Sequence, residues 1–441
     1  MQFNSLEFLY GFLPLFLVAY YLIKECYRCH LLVLGSFLFY GLATDWSLLG
    51  VPVLAVVTVV AFLASRSLNR IKSGWLLAFW LLIFTGLLTF FKIFQGGKYL
   101  PAGMSFYLFQ IAAILIDVYR GRTRVEYDPV KFASHVVMFP KLLSGPLVEP
   151  AALRAGERTW QGTWQRFGEG LQCFIPGLAL KVLLAGRLGG IWSQARVVGY
   201  EGISVAYGWI ALISWAMQLY FDYYGYSLMA VGLGKMLGYD LPENFRHPYA
   251  AGSVSGFYRR WHITLGAWFR EYIYIPLGGN RRGWFLTILN LAVVWLFTGL
   301  WHGVGGNYLL WAGFLWLCVV LERLFLNRIL KKIGMFKHVY LVFVILLSWV
   351  PFAIGDWDQM CLFLRKLFGG GNTLNPRDIL GLKDYIPMLV SGVLLATPLP
   401  EKLWKWLRDS ALGWGILFVL FWLCVFRIST AAQDPFLYFK F

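Results

Sequence analysis

Along most of this chain apolar residues come in long blocks, not in strict alternation and not in narrow amphipathic stripes. The blocks cover 4–23, 47–65, 75–94, 171–192, 208–232, 284–301, 307–326, 339–354 and 412–430. An uninterrupted helix needs about 20 apolar residues to cross a bilayer. Shorter blocks at 31–43, 105–119 and 385–398 read as short or tilted spans. Only helices and closed barrels satisfy their backbone polar groups in lipid. The pattern therefore predicts an all-α polytopic membrane protein with roughly 10–12 spanning helices.

Two stretches break the pattern. "VVMFPKLLSGPLVEP" (136–150) is apolar, yet it is interrupted by Pro140, Gly145, Pro146 and Pro150 and holds Lys141. Proline removes a backbone donor and breaks helices. Backbone of this kind stands at membrane depth only where it is buried in protein or lines a wet cavity. A re-entrant or interfacial segment is expected. The second stretch, "PENFRHPYAAGSVSGFYRRWHITLGAWFREYIYIPLGGNRRG" (242–283), is aromatic and basic together. It is too charged to span and suits an amphipathic helix at the lipid headgroups, capped by Ser253 or Ser255. No soluble domain or long linker interrupts the chain, so residues 1–441 are expected to form one integral membrane domain.

Composition supports this reading. Hydrophobic residues make up 59% of the chain and charged residues 14%, against about a quarter charged in soluble domains. A net charge of +17 first suggests nucleic acid. The basic residues, however, sit in short clusters between apolar blocks, which is the positive-inside pattern, so no nucleic-acid partner is expected. Lys24/Arg28, Arg66/Arg70/Lys72, Arg120/Arg122/Arg124, Arg281/Arg282, Arg328/Lys331/Lys332 and Lys402/Lys405/Arg408 should face the cytoplasm. The blocks between these clusters are even in number, which puts both the N-terminus and the C-terminal "DPFLYFKF" outside. The first block lacks a basic leader and a small-residue cleavage site, so it reads as a span. Six scattered cysteines suggest no disulfide framework. "CYRCH" (26–30) matches a haem-attachment spacing, but its basic flank places it on the wrong side of the membrane.

The chemistry narrows by elimination. "GLGKMLG" follows no strand, no serine sits in a G-x-S-x-G elbow, and no His/Asp/Glu grouping has metal-ligand spacing. Histidine remains. His302, in "FTGLWHGVGGNYLLW", lies between two apolar blocks among Gly299, Gly303, Gly305 and Gly306. An ionisable residue inside a membrane is a functional candidate, and imidazole is a general base near neutral pH. His262, in "RRWHI", lies among Arg259, Arg260 and Arg270. Arginine forks bind phosphate, so an anionic carrier arriving from the cytoplasm fits: coenzyme A, a nucleotide or carrier-protein pantetheine. Trp261 and Asn244 of the same stretch, and Lys141 of the broken one, complete the candidate donor-binding set. His30, His135, His247 and His338 receive no catalytic assignment.

Three blocks carry a resemblance: "QLYFDYYGYSLMAVGLGKMLGYDLPENFRHPY" (218–249), "FYRRWHITLGAWFREYIYIPLGGNR" (257–281) and "LFTGLWHGVGGNYLLW" (296–311). Together they resemble the signature blocks of bacterial membrane-bound O-acyltransferases, in particular the alginate O-acetyltransferase branch. "FPKLLSGPLVEP" and the C-terminal "PFLYFKF" resemble further features of that branch. The resemblance implies a helical ring with a thin centre, where entrances for acyl donor and acceptor meet near a histidine pair. The family's invariant histidine falls on His302 and its second on His262. It also implies acetyl-CoA as a cytoplasmic acyl donor, with no permanently bound cofactor. The acetyl group would end on an exported or cell-surface polysaccharide, through an extracytoplasmic partner transferase, in the inner membrane of a bacterium. His302 would act as general base or carry the acyl group briefly. Branch members often place an acid after "GYS"; here Leu228 stands there, which leaves the acceptor polymer open. Two alternatives remain at this point. One is D-alanyl transfer to teichoic acid from a carrier protein, against which "YIYIPLGGNR" favours the acetyl branch. The other is a transporter of polysaccharide or lipid without chemistry.

Overall fold

In a bilayer every peptide N–H and C=O must find its partner within the protein, and the chain meets this demand with helices. A computed structural model describes residues 1–94, 100–150 and 164–430. The C-terminal "PFLYFKF" lies outside the described residues. Among these, eight helices are long and apolar enough to cross a membrane. A ninth is added if Leu380–Leu395 and Leu399–Leu407, bent by 80°, count as one broken span. The all-α polytopic architecture is as expected, but the span count is below 10–12. Apolar blocks are not all span-length helices: Glu7–Leu22 and Met104–Tyr119 are apolar but short. Val205–Met236, a 32-residue helix, is not among the eight; it carries Gln218, Asp222 and several tyrosines.

The fold resolves into two compact units. The first comprises Met1–Leu178, Tyr226–Glu243 and the described chain from Phe421 on. Its helices Arg28–Ala43, Gly50–Ile71 and Met104–Tyr119 pack against the short helix Pro129–Val137. The broken stretch follows, and it is buried without interruption over 134–146, as irregular backbone at depth requires. Phe139 projects into a cluster of Phe3, Phe8, Phe12, Phe16 and Phe39, with ring centroids 5.3–6.4 Å away. Its backbone N–H donates to Ser36 Oγ at 3.0 Å. Gln110 spans Val148, donating to its carbonyl at 2.7 Å and accepting from its N–H at 3.2 Å. Gly103 has φ +71°, and a Cβ there would lie 2.5 Å from the Leu142 carbonyl oxygen. The close approach of these backbones therefore needs glycine on both counts.

The second unit comprises Ala179–Gly225 and Asn244–Leu420. Trp284–His302 and Gly306–Leu321 form a tight antiparallel pair. A Cβ on Gly299 would stand 3.0 Å from Ala312 Cβ, so the missing side chain sets how close the two helices come. The 242–283 stretch is not one amphipathic helix. It forms short helices Val254–Tyr258 and Ile263–Phe269, a π turn Arg270–Tyr274 and a β-bridge between Phe245 and Trp261. Left-handed backbone at His247 and His262 (both φ +47°) breaks helical continuity. Ser253 caps the first short helix, its Oγ accepting from Gly256 N–H at 3.0 Å.

Candidate active site

His262 occupies a position that few non-glycine residues take, and its neighbours hold it there. Arg246 N–H donates to the Arg260 carbonyl at 3.0 Å, and Ile263 N–H to the Asn244 carbonyl at 2.9 Å. Asn244 Oδ1 accepts from Thr264 Oγ1 at 2.6 Å and from Thr264 N–H at 3.3 Å. The turn is thus clamped on both sides, and strain over-determined by its surroundings is characteristic of functional sites. The His262 ring is buried, 4% exposed, with Nε2 2.7 Å from the Tyr223 hydroxyl. Burial pushes its pKa down to about 3, so the neutral imidazole is the folded form.

Tyr223 is fully buried on Val205–Met236. Its neighbour Asp222 pairs with Lys181, also buried, on the adjoining π turn Leu180–Ala185. An ion pair inside apolar protein keeps its geometry because losing either partner strands a charge.

His302 is the last residue of Trp284–His302, where the glycine-rich 303–306 ends the helix. It is 6% exposed. Its ring lies 4.9 Å from Trp311, 5.0 Å from Phe352 and 6.5 Å from Tyr308. Gly303 admits this cover: a Cβ there would meet Tyr308 Cε2 at 2.4 Å. Trp301 joins the two histidines, its ring centroid 4.5 Å from His302 and 6.0 Å from His262. Both imidazoles therefore face one indole in a dry aromatic setting, where electrostatic interactions are stronger than in water.

The other candidates divide. Arg259 and Arg260 line a cavity of about 250 Å³. Arg270 is exposed on its π turn and outside that lining. Trp261 is interior, packed on Tyr220, Phe245, Phe257 and Trp349, and Asn244 is 1% exposed and committed to Thr264. Lys141 belongs to the first unit, where its amine donates to the His135 carbonyl at 2.5 Å. Sequence reasoning missed Tyr223, Trp301 and the Lys181–Asp222 pair. Lys181 and Asp222 were detectable as ionisable residues within the blocks 171–192 and 208–232. Tyr223 and Trp301 had no such signal among so many aromatic residues.

A polytopic helical membrane protein with two buried histidines gathered on one tryptophan is the class these features define. Residues 61–355 match the membrane-bound O-acyltransferase family. The chain is 30% identical to the "Probable alginate O-acetylase" of Pseudomonas putida, over the whole of both chains. It is 28% identical to the peptidoglycan O-acetyltransferase of Helicobacter pylori, over 70% of this chain and 68% of that one. Against the teichoic acid D-alanyltransferase of Bacillus subtilis the identity is 24%, over 47% of this chain and 55% of that one. The chain belongs to the membrane-bound O-acyltransferase family and is a multi-pass membrane O-acyltransferase.

Proposed function

We propose that this protein passes an acetyl group from cytoplasmic acetyl-CoA towards an exported or cell-surface polysaccharide, in the inner membrane of a bacterium. The observation that carries the reading is the pair of buried imidazoles that both contact Trp301. His302 takes the proton of an acceptor hydroxyl as its oxygen attacks the thioester carbonyl carbon. The C–S bond then breaks, and the imidazolium returns the proton to the departing thiolate. His262, neutral and oriented by Tyr223, completes the pair from the basic side. Arg259 and Arg260 receive the anionic carrier. The carrier stays in the cytoplasm because moving its charge through hydrocarbon is costly, whereas an acetyl group is small and neutral. An extracytoplasmic partner transferase delivers the acetyl group to the polymer. Both units belong to one acyltransferase domain in this reading, which is supported by a family match that runs from the first into the second. The greater extent of similarity to the alginate relative favours acetyl over D-alanyl transfer.

The test is His302→Ala, with its abundance in the membrane matched to the parent protein. Polymer-bound acetate is expected to fall by about 10²–10⁴-fold, the contribution typical of a general base. Acetate near the parent level would overturn the assignment.

A further inference from the structure

The cavity beside Arg259 and Arg260 has a second wall that comes from much later in the chain. Its lining includes Asn327 and Lys331 of the helix Asn327–Lys332, and Lys337 of the helix Phe336–Ala353. Four cationic side chains therefore share one space of about 250 Å³, and no acidic residue lines it. Among the described residues none of the four forms an ion pair with a carboxylate. Like charges gathered without a counter-ion repel one another, so this arrangement is suited to a bound anion.

The walls are also fixed in place. The Lys337 stem lies across Gly252, where a Cβ would stand 2.7 Å from Lys337 Cδ. The loop beneath is held by Glu322, which is fully buried and accepts from Val254 N–H at 2.5 Å, Ser255 N–H at 3.0 Å and Ser255 Oγ at 2.8 Å. His338 Nδ1 donates to the Ala251 carbonyl at 2.8 Å. That acid is spent on the loop and does not neutralise the cavity.

We infer that this cavity is a phosphate-binding site, with Lys331, Lys337 and Asn327 completing what Arg259 and Arg260 begin. Two guanidinium forks and two ammonium groups offer fixed and adaptable donors to a phosphate monoester or a diphosphate. Neither histidine lines the cavity. It therefore grips the charged end of a long ligand whose reactive end lies elsewhere, as a phosphorylated thioester carrier requires. That choice of ligand rests on the acyl-donor reading above; the phosphate chemistry does not. The other source of the same chemistry is an anionic lipid headgroup.

The experiment uses the full chain purified in detergent and measures coenzyme A binding calorimetrically. It compares the parent, Lys331→Ala/Lys337→Ala and the charge-retaining Lys331→Arg/Lys337→Arg. Dephospho-coenzyme A and vesicles of phosphatidylglycerol are parallel probes. The alanine pair is expected to raise the coenzyme A Kd about tenfold or more, and the arginine pair to keep it within a few-fold. If the parent binds no coenzyme A but loses phosphatidylglycerol binding on alanine substitution, the phosphate site stands and the donor reading falls. If parent and alanine variants bind every phosphate probe equally, the inference is overturned, whatever the outcome at His302.

Discussion

The 134–146 and 244–269 stretches meet the same difficulty, non-helical backbone inside an apolar protein, in opposite ways. The first is buried throughout and supplied by neighbouring side chains: Ser36 serves Phe139, and Gln110 serves Val148. Its one lysine, Lys141, is folded inwards onto the His135 carbonyl. The second is supplied partly by itself, through the Phe245–Trp261 bridge and Asn244, and partly by Glu322 and His338 from later in the chain. This leaves Arg259 and Arg260 without a carboxylate partner among the described residues and holds His262 in a left-handed turn. One region spends its polar groups on closure, whereas the other leaves Arg259 and Arg260 on an open cavity. Irregular backbone in a membrane protein is thus no mark of function by itself; what its side chains are left free to do is the better guide.

The sharpest way to break this comparison is at Gly103. A valine there would be forced into left-handed backbone and against the Leu142 carbonyl. The expected cost is about 3 kcal/mol, seen as a lower thermal midpoint and reduced folded yield in detergent. A stable Gly103→Val protein would show that the broken stretch is not a rigid insert.

Lys141 tests the same region through pH. Burial lowers its folded pKa from 10.5 to about 7. Between those values the unfolded chain binds more protons than the folded one, so the group's cost is greatest at and below pH 7 and fades as pH rises towards 10.5. Lys141→Met is expected to raise stability at pH 7 by about 1–2 kcal/mol and to lose the upward slope. Denaturation midpoints at pH 6.5 and 9.5 check this. An unchanged slope would show that the amine is not held in its neutral form.

The smallest effect sharpens the second region. Tyr223→Phe removes the 2.7 Å contact with His262, worth about 0.5–1.5 kcal/mol. Acetyl transfer at saturating acyl donor is expected to fall roughly 2- to 10-fold with the donor KM unchanged. A rise in KM alone would make Tyr223 part of the donor site and not a positioning residue for His262.

Much of this was legible beforehand. Long apolar blocks dictated helices because lipid offers the backbone no partner, and Pro140, Gly145 and Pro146 marked where helix had to stop. His302 stood out because ionisable groups are rare between apolar blocks, and His262 because arginines surround it. What stayed hidden depends on separations along the chain. Nothing local pairs Lys337 with Gly252, or sets Trp301 against both His262 and His302. Asn244 and Trp261, candidates for donor binding, are buried; the sequence around them does not reveal which side chains point inwards.

Glu322 sets an order of events during synthesis. The backbone groups it satisfies at Val254 and Ser255 leave the ribosome 67–68 residues before it does. At roughly 5–20 residues per second, that is a delay on the order of 3–14 s. Throughout it the Ser253 loop has no carboxylate to dock on, and the cationic cavity lacks its second wall. The cationic cavity is therefore completed only after Lys337 has been synthesised, so a chain stalled before that point exposes Arg259 and Arg260 without the rest of the lining.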